Sequence, residues 1–123
     1  SMHEIVTLAS IIQWEAVYDD EMKLISSVYH NRLDKDMLLQ ADPTVQYLFP
    51  KQKKKILIKD TEIKSPYNTY LNKGLPPGPI NNPGIEAIVA AGDPSKTDYF
   101  YFVSDKKGRH IFNKTYKAHL KSK

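Results

Sequence analysis

The sequence predicts an α+β fold in a single domain, and three observations lead to that prediction. Two amphipathic segments with helical spacing open the 123-residue chain, and an aromatic hairpin pattern lies near its end. Between them, seven of the eleven residues 74–84 are glycine or proline, which excludes a helix or a central strand there. We therefore expect a helical pair packed with short strands and a long, ordered Pro/Gly-rich loop.

The first two elements are predicted to be helices joined by a short link. The first helix is expected over residues 3–17, where apolar side chains recur every three or four residues and so share one face. These side chains are Ile5, Leu8 and Ile12. A second helix follows, capped by Asp19 or Asp20 and ending near residue 33.

The later elements follow from turn residues and from alternation. Asp42 and Pro43 resemble an N-cap and a first helical residue, so a short helix over 45–49 is expected after them. Residues 51–64 are predicted to be mostly loop. The remaining predicted elements are a helix over 85–91, hairpin strands over 99–103 and 110–112, and a final helix over 114–120.

Composition excludes several broad classes of protein. The chain has 41% hydrophobic and 26% charged residues, which is ordinary for a globular domain, and it has no cysteine for disulfides or catalysis. The net charge is +4, and lysines concentrate in residues 51–55 and in the tail 117–123. Such charge runs are typical of a solvated surface, with attraction to a polyanion as the alternative. No apolar run approaches the roughly 20 residues that a membrane-spanning helix needs.

Several catalytic and binding motifs are absent. No two of the four histidines are four residues apart, and the Gly-x-Ser-x-Gly, phosphate-loop and dinucleotide fingerprints do not occur. The aromatic segment 99–102 fits alternation on a half-buried strand better than an RNA-stacking surface. We therefore expect no metal, no cofactor and no nucleic-acid partner.

Glu15 is the residue whose position points to chemistry. It continues the apolar stripe of the first predicted helix and lies near the C-terminal end of that helix. Burial and the helix dipole both disfavour a carboxylate there and raise its pKa, and a carboxylic acid that stays protonated is what general acid catalysis requires. The structural alternative is a boundary glutamate paired with a lysine or an arginine.

A second carboxylate and a polar cluster complete the candidates. Asp42 either caps the short helix or stands opposite the acid, as in two-carboxylate glycosidases. The sequence does not fix that distance, so a mechanism with a single acid stays open. Residues 67–70 combine hydroxyls, an amide and ring faces, which suit a sugar or form a packed turn. Asn81 and Asn82 either bind sugar substituents or satisfy loop backbone.

Seven short segments follow one another along the chain in a specific order. They are LASIIQWE at 8–15, NRL at 31–33, LQADPTV at 39–45, SPYNTY at 65–70, GLPPGPI at 74–80, NPG at 82–84 and KTDYFYFV at 96–103. Together they resemble the YceG-like family of endolytic murein transglycosylases, and their shared order, over about residues 8–119, makes the resemblance specific. Gln13 and Ala16 depart from a common form of the first motif, and the glutamine leaves Glu15 as the only acid there.

The resemblance implies an activity and a set of site residues. Residues 1–123 are expected to be a catalytic domain that cleaves the β-1,4 bond between N-acetylmuramic acid and N-acetylglucosamine in peptidoglycan and leaves 1,6-anhydro ends. Glu15 is the implied general acid and base. A glycan groove is expected from seven further residues: Gln40, Asp42, Thr44, Tyr67, Asn68, Tyr70 and Asn82.

The resemblance also implies a location and partners. The family is anchored in the cell membrane and acts on its extracytoplasmic face, so the anchor and the N-terminal region are expected to lie outside this chain. Ser1 and Met2 are typical of a remnant of expression. Glycan strands are the implied substrate, cell-wall synthesis proteins are candidate partners, and this segment is expected to be a monomer. Three alternatives remain: a lysozyme-type hydrolase, a glycan-binding module without catalysis, and a nucleic-acid binder that uses residues 51–55.

Overall fold

The computed structural model describes residues 1–123 and confirms the α+β prediction. Five α-helices accompany one two-stranded antiparallel sheet. The helices are α1 (Met2–Glu15), α2 (Met22–Asp34), α3 (Asp42–Gln46), α4 (Ile85–Gly92) and α5 (Tyr116–Ser122), and the strands are β1 (Tyr101–Ser104) and β2 (His110–Asn113). Two 3₁₀ turns, Asp19–Glu21 and Ile58–Glu62, complete the elements. None of the helices has both the length and the apolar character needed to span a membrane.

Helix α1 runs through the centre of the core. A capping box fixes its start: the Ser1 hydroxyl accepts from the Glu4 backbone N–H, and the Glu4 carboxylate accepts from the Ser1 amino group. All residues of the stretch 7–12 are buried, because α2, α3 and α4 contact the helix from different sides. The sequence predicted that only one face of this helix is buried, whereas the stretch 7–12 is buried on all sides. The helix ends at Glu15, since Ala16 is extended with φ −84° and ψ 128°.

The start of α2 differs from the prediction of an aspartate cap. No side chain caps the helix, and the first 3₁₀ turn leads directly into it. The acidic side chains of that turn bind the hairpin region instead. Asp20 accepts from Arg109 at 2.6 Å, and Glu21 accepts from His110 at 2.9 Å. These contacts tie the start of α2 to the opposite end of the chain.

Helix α3 begins earlier than predicted, and Asp42 is not its cap. Ala41 is the N-cap residue, Asp42 is the first helical residue, and Pro43 occupies the first turn. The hydroxyl of Thr44 donates to the Ala41 carbonyl at 2.7 Å. The Asp42 carboxylate accepts from the Tyr70 hydroxyl rather than from the helix backbone, which is why the capping alternative is wrong.

The Pro/Gly-rich segment is an ordered wall packed on α1, as predicted. The backbone N–H of Ile80 donates to the buried Ser10 hydroxyl at 3.0 Å, and the Asn81 amide donates to the Ser10 carbonyl at 2.9 Å. Farther along, the Gly84 N–H donates to the Gln13 side chain at 2.8 Å. Helix α1 thus supplies the hydrogen-bond partners that a segment without regular structure needs.

The aromatic hairpin packs on α2. Its strands pair from Tyr101 opposite Asn113 to Ser104 opposite His110. Phe102 points toward α2, where its ring meets Tyr29 edge to face at a centroid distance of 5.7 Å. Helix α5 contacts both strands and completes this side of the molecule.

The strand β1 begins two residues later than predicted because side chains of α2 bind the preceding backbone. The Asn31 amide donates to the carbonyls of Thr97 and Tyr99 at 3.0 and 2.9 Å. The Arg32 Nε donates to the Phe100 carbonyl at 2.7 Å. These bonds replace part of a strand ladder, and they fix the hairpin to the helix.

Candidate active site

A cleft of about 420 Å³ opens beside the C-terminal end of α1. Its walls come from α2, the segment leading into α3, the hairpin and α5. Polar, ionisable and aromatic side chains line it: Glu15, Tyr29, Arg32, Gln40, Asp42, Tyr70, Tyr101, Phe102, Tyr116 and His119. Residues distant in the chain thus meet in one concave site of the kind that binds ligands.

Glu15 is the last residue of α1, and its side chain lines this cleft. The side chain is 18% exposed, so the surrounding protein removes most of the water that would solvate a carboxylate. Burial raises the pKa of Glu15 from 4.5 to about 8, and the negative charge of Asp42 contributes to the rise. The carboxyl group is therefore mostly protonated at neutral pH.

His110 of β2 lies beside Glu15, a contact that no sequence pattern indicates. Its side chain is 2% exposed, and its Nε2 lies 4.0 Å from Oε2 of Glu15. On the other side of the ring, Glu21 accepts from Nδ1 at 2.9 Å and from the His110 backbone N–H at 3.1 Å. Because a carboxylate only accepts, we assign the hydrogen to Nδ1, which leaves Nε2 directed at Glu15.

Asp42 and Tyr70 form a hydrogen-bonded pair in the same cleft. The Tyr70 hydroxyl donates to Oδ1 of Asp42. Burial and this hydrogen bond raise the pKa of Tyr70 above its ordinary value, so the phenol keeps its proton. The charge of Asp42 also acts on Glu15. The structure thus brings together the two carboxyl groups that the sequence singled out.

Gln40 lines the cleft from a backbone conformation that is unusual for its residue type. Its φ is +49°, in the left-handed region where any residue other than glycine costs energy. The backbone N–H of Gln40 donates to the Thr69 carbonyl at 3.2 Å, and the Ala41 N–H donates to the Thr69 hydroxyl at 2.9 Å. These two bonds hold the strained residue, and its exposed side chain faces the cleft.

Thr44 and Asn68 lie behind the cleft and do not line it. Both are fully buried. The hydroxyls of Thr44 and Thr69 share a hydrogen bond of 2.9 Å, and the Asn68 amide donates to the carbonyls of Thr61 and Ile63. The Asn68 side chain also accepts from the Tyr70 backbone N–H at 2.9 Å. Thr44 and Asn68 therefore support the segment around Tyr70 from behind the cleft.

Tyr67 and Asn82 also lie outside the cleft. The Tyr67 ring packs on Tyr47 at a centroid distance of 5.0 Å, and Asn82 is exposed in the Pro/Gly-rich segment. Of the seven groove residues expected from the sequence, the cleft gathers three, which are Gln40, Asp42 and Tyr70.

Arg32 is a cleft residue that the sequence analysis missed. It is 7% exposed, and it donates to the carbonyls of Leu38 and Phe100, both at 2.7 Å. Its guanidinium lies 4.9 Å from the centre of the Tyr101 ring. A signal was present: Arg32 lies seven residues after the buried Ile25 of α2, so it shares the helix face that a charged residue normally avoids.

Tyr29 and His119 were missed for different reasons. Tyr29 belongs to the apolar stripe of α2 and was assigned to the core; it is 2% exposed, yet it lines the cleft. His119 of α5 stacks on Tyr101 at a centroid distance of 5.2 Å, a contact that depends on the packing of α5 against the hairpin. No three His, Asp or Glu residues are grouped so that they could hold a metal ion.

Comparison with known proteins identifies the family of this chain. The sequence model of the YceG-like family matches residues 1–123, which is the full chain. The chain belongs to the YceG-like family. The motif resemblance described above is thereby confirmed, and the match includes the helix that carries Glu15 and the hairpin that carries His110.

Members and relatives of the family are similar to this chain over most of its length. An endolytic murein transglycosylase of Bacillus subtilis (strain 168) is 50% identical over 123 residues, and one of Streptococcus pneumoniae serotype 2 is 38% identical over 110 residues. The crystal structure of a YceG-like protein of Listeria monocytogenes superposes with a TM-score of 0.94 at 50% identity, over 98% of this chain. The chain spans 34%, 20% and 40% of the lengths of these three proteins.

Proposed function

We propose that residues 1–123 form the catalytic domain of an endolytic peptidoglycan lytic transglycosylase. The observation that supports this most directly is the buried carboxyl of Glu15, which lies in an open cleft and has a pKa of about 8. A group of this kind donates a proton at neutral pH, which an exposed glutamate does not do. The names of the Bacillus and Streptococcus relatives agree with this chemistry.

The reaction begins with proton transfer from Glu15. The acid protonates the glycosidic oxygen that stays with N-acetylglucosamine, and the bond from this oxygen to C1 of N-acetylmuramic acid breaks. Positive charge develops at C1 and the ring oxygen, as in other glycosidases. The Glu15 carboxylate formed in this step then accepts the proton of the C6 hydroxyl of the same sugar. The C6 oxygen bonds to C1, a 1,6-anhydro ring results, and no water is consumed.

His110 and Glu21 position the acid in this mechanism. Because Glu21 accepts one hydrogen bond from the His110 ring and one from the His110 backbone N–H, Nε2 stays directed toward Oε2 of Glu15 at 4.0 Å. A ring fixed in this way limits the rotamers of the Glu15 side chain and so favours one orientation of its proton. His110 is a positioning residue in this mechanism, because its side chain is 2% exposed and does not line the cleft.

Asp42 and Tyr70 act on the acid through charge and on the glycan through contact. The negative charge of Asp42 keeps Glu15 protonated, and the hydrogen bond from Tyr70 fixes that charge in place. Gln40 and Tyr70 offer an amide and a hydroxyl to the hydroxyl groups of a sugar ring. Thr44 and Asn68 hold these residues from behind, and Tyr67 and Asn82 remain candidates only for contacts with a strand that extends beyond the cleft.

The substrate and the location follow from the same proposal. Peptidoglycan glycan strands lie outside the cytoplasmic membrane, so this domain is proposed to act on the extracytoplasmic side, held there by an anchor outside residues 1–123. Cell-wall synthesis proteins are candidate partners because the strands that they produce are the substrate of this cleavage.

A lysozyme-type hydrolase is the second candidate, and Asp42 is the observation that favours it. This carboxylate lines the same cleft as Glu15, and two-carboxylate glycosidases use the second group to activate water or to bind C1. Asp42 accepts from Tyr70, however, and this occupies one of its oxygens. The two candidates differ in their products, since hydrolysis adds one water to each new end.

Mass spectrometry of digested glycan strands tests the proposal. Full-length protein should release fragments with anhydro ends, one water lighter than hydrolysis products. Glu15→Gln should lower the rate of release about 10²–10⁴-fold, the range typical of a lost general acid. The matched control is Glu86→Gln, which changes an exposed carboxylate on α4 and should leave the rate unchanged.

The other outcomes separate the alternatives. Fragments with reducing ends would establish a hydrolase, with Asp42 as the first residue to replace. Equal cleavage by the parent and by Glu15→Gln would remove Glu15 from the mechanism. Strand binding without cleavage by the full-length protein would support a glycan-binding module.

A further inference from the structure

The segment of residues 51–59, which we call the basic loop, exposes charge and apolar surface together. Its sequence is KQKKKILIK, with five lysines in nine residues. Leu57 is 42% exposed and Ile58 is 82% exposed, the highest value among the large apolar side chains of the chain. The loop does not line the catalytic cleft, and the proposed reaction makes no use of it.

The basic loop has a defined conformation, so the exposure of Ile58 is built into the fold. The side-chain amide of Gln46, at the end of α3, donates to the Lys53 carbonyl at 2.7 Å and accepts from the Lys53 N–H at 2.9 Å. The buried Asp60 accepts from Lys53 Nζ at 2.6 Å and from the Leu57 N–H at 2.8 Å. These four bonds hold the segment at Lys53 and at Leu57, and the 3₁₀ turn begins at Ile58.

The charge of the loop is large in relation to that of the whole chain. Residues 51–64 hold six lysines against Asp60 and Glu62, so their formal net charge equals the +4 of the entire protein. Asp60 is paired with Lys53, whereas Lys51, Lys54, Lys55 and Lys59 are exposed and form no ion pair. Cationic side chains therefore flank the two exposed aliphatic side chains.

We propose that the basic loop docks this domain on an anionic lipid bilayer, with Leu57 and Ile58 entering the boundary between headgroups and acyl chains. Exposed lysines attract anionic headgroups, and aliphatic side chains gain by leaving water for the acyl region. A purely polar polyanion, such as a nucleic acid, satisfies the lysines but leaves Ile58 in water. The combination of both surfaces therefore favours a lipid surface.

No residue of the basic loop lines the cleft. Gln46, which holds the basic loop, is the last residue of α3, and Asp42, which lines the cleft, is the first. The two surfaces thus lie at opposite ends of the same short helix. The proposal is independent of the reaction, because it concerns residues that the catalytic mechanism does not use.

Vesicle flotation tests this proposal with the purified chain. Vesicles of phosphatidylcholine and phosphatidylglycerol in equal parts should bind the protein, and vesicles of phosphatidylcholine alone should bind it at least tenfold more weakly. The double variant Lys54→Gln/Lys55→Gln should lose about 10- to 30-fold in affinity for the anionic vesicles. Its matched control is Lys106→Gln/Lys107→Gln, which removes two exposed lysines from the hairpin turn.

The variant Ile58→Ser decides between insertion and simple charge attraction. It should weaken binding to anionic vesicles at least fivefold, whereas Ile85→Ser, at an aliphatic residue of α4 that is 70% exposed, should leave binding unchanged. Both residues are exposed enough for the fold to persist, and circular dichroism verifies this. Unchanged binding by Ile58→Ser, equally tight binding to duplex DNA, or no binding to anionic vesicles would each overturn the proposal.

Discussion

The pKa of the Glu15 carboxyl depends on its neighbours as much as on its own chemistry. Burial accounts for most of the rise in its pKa to about 8, and the charge of Asp42 accounts for the rest. The acid therefore depends on a residue that reaches the cleft from a different element. This dependence separates a general acid, which must hold its proton, from a glutamate that is merely half-buried.

The Asp42 charge has a consequence for the pH dependence of strand cleavage. Asp42→Asn removes a negative charge near Glu15, so the pKa of Glu15 should fall from its value of about 8. Because the reaction needs the protonated acid, activity should begin to decline at a lower pH than in the parent. Initial rates of fragment release between pH 5 and pH 9 provide the measurement. An alkaline limb that stays in place would show that the Asp42 charge does not act on the acid.

Two elements far apart in the chain hold the acid in place. Helix α1 supplies Glu15, and β2 supplies His110, whose ring is fixed by Glu21 from the turn before α2. We expect His110→Gln to lower kcat by about tenfold or more with little change in KM, because the substrate contacts stay intact.

A matched variant distinguishes positioning from a general loss of structure. Glu21→Gln keeps an acceptor for Nδ1 of His110 but removes the charge, and it should retain more activity than His110→Gln. Equal losses in both variants, together with a lowered melting temperature, would assign His110 a structural role only.

The Pro/Gly-rich wall depends on one hydroxyl of α1. Ser10 is fully buried, and its Oγ accepts from the Ile80 N–H at 3.0 Å. Ser10→Ala leaves that N–H without a partner, so the free energy of unfolding should fall by about 1–3 kcal/mol. Ser26→Ala is the control, because the buried Ser26 hydroxyl has no hydrogen-bond partner to lose. Urea unfolding of both variants makes the comparison, and equal losses would contradict the role of the Ser10 bond.

The burial of Glu15 makes the stability of the whole molecule depend on pH. The pKa of Glu15 is 4.5 when the chain is unfolded and about 8 when it is folded, so the folded state binds the proton more tightly. The contribution of Glu15 to stability is therefore full below pH 4.5, falls as the pH rises toward 8, and changes no further above that. Each pH unit between the two pKa values corresponds to about 1.4 kcal/mol.

Replacing the Glu15 carboxyl by an amide should prevent this loss of stability with rising pH. Glu15→Gln should match the parent near pH 4 and exceed its free energy of unfolding by up to a few kcal/mol at pH 9. Urea unfolding at pH 4, 7 and 9 gives the measurement, with Glu86→Gln as the exposed control. A difference between Glu15→Gln and the parent that does not grow with pH would contradict the high pKa of Glu15.

Local sequence signals predicted the elements and the acid but not the assembly of the site. Helical spacing and the Pro/Gly-rich composition act over a few residues, so they located α1, the wall and the hairpin to within a few positions. Glu15 was found because a carboxyl on an apolar stripe is a local anomaly. His110 was not, since its contact with Glu15 exists only after the folded hairpin brings β2 beside the end of α1.

Asp42 and Asn68 are residues whose roles cannot be decided from the sequence alone. Their residue types suit both a cap or turn and a glycan contact, and sequence cannot choose between these uses. The fold makes the choice: Asp42 turns toward Tyr70 in the cleft, and Asn68 turns inward to backbone carbonyls. Side-chain direction depends on neighbours that are distant in sequence, and this is the part that local patterns do not contain.

The burial of α1 on all sides makes the length of this helix a functional quantity. The stretch 7–12 is fixed by the helices packed around it, and the last residue of α1 is Glu15. In an α-helix, one inserted residue turns everything after it by about 100° and advances it by about 1.5 Å. An insertion between this buried stretch and Glu15 would therefore direct the carboxyl away from His110 and the cleft, even with every site residue still present. We therefore expect the part of α1 between the buried stretch and Glu15 to accept an exchange of residues more readily than a change in their number.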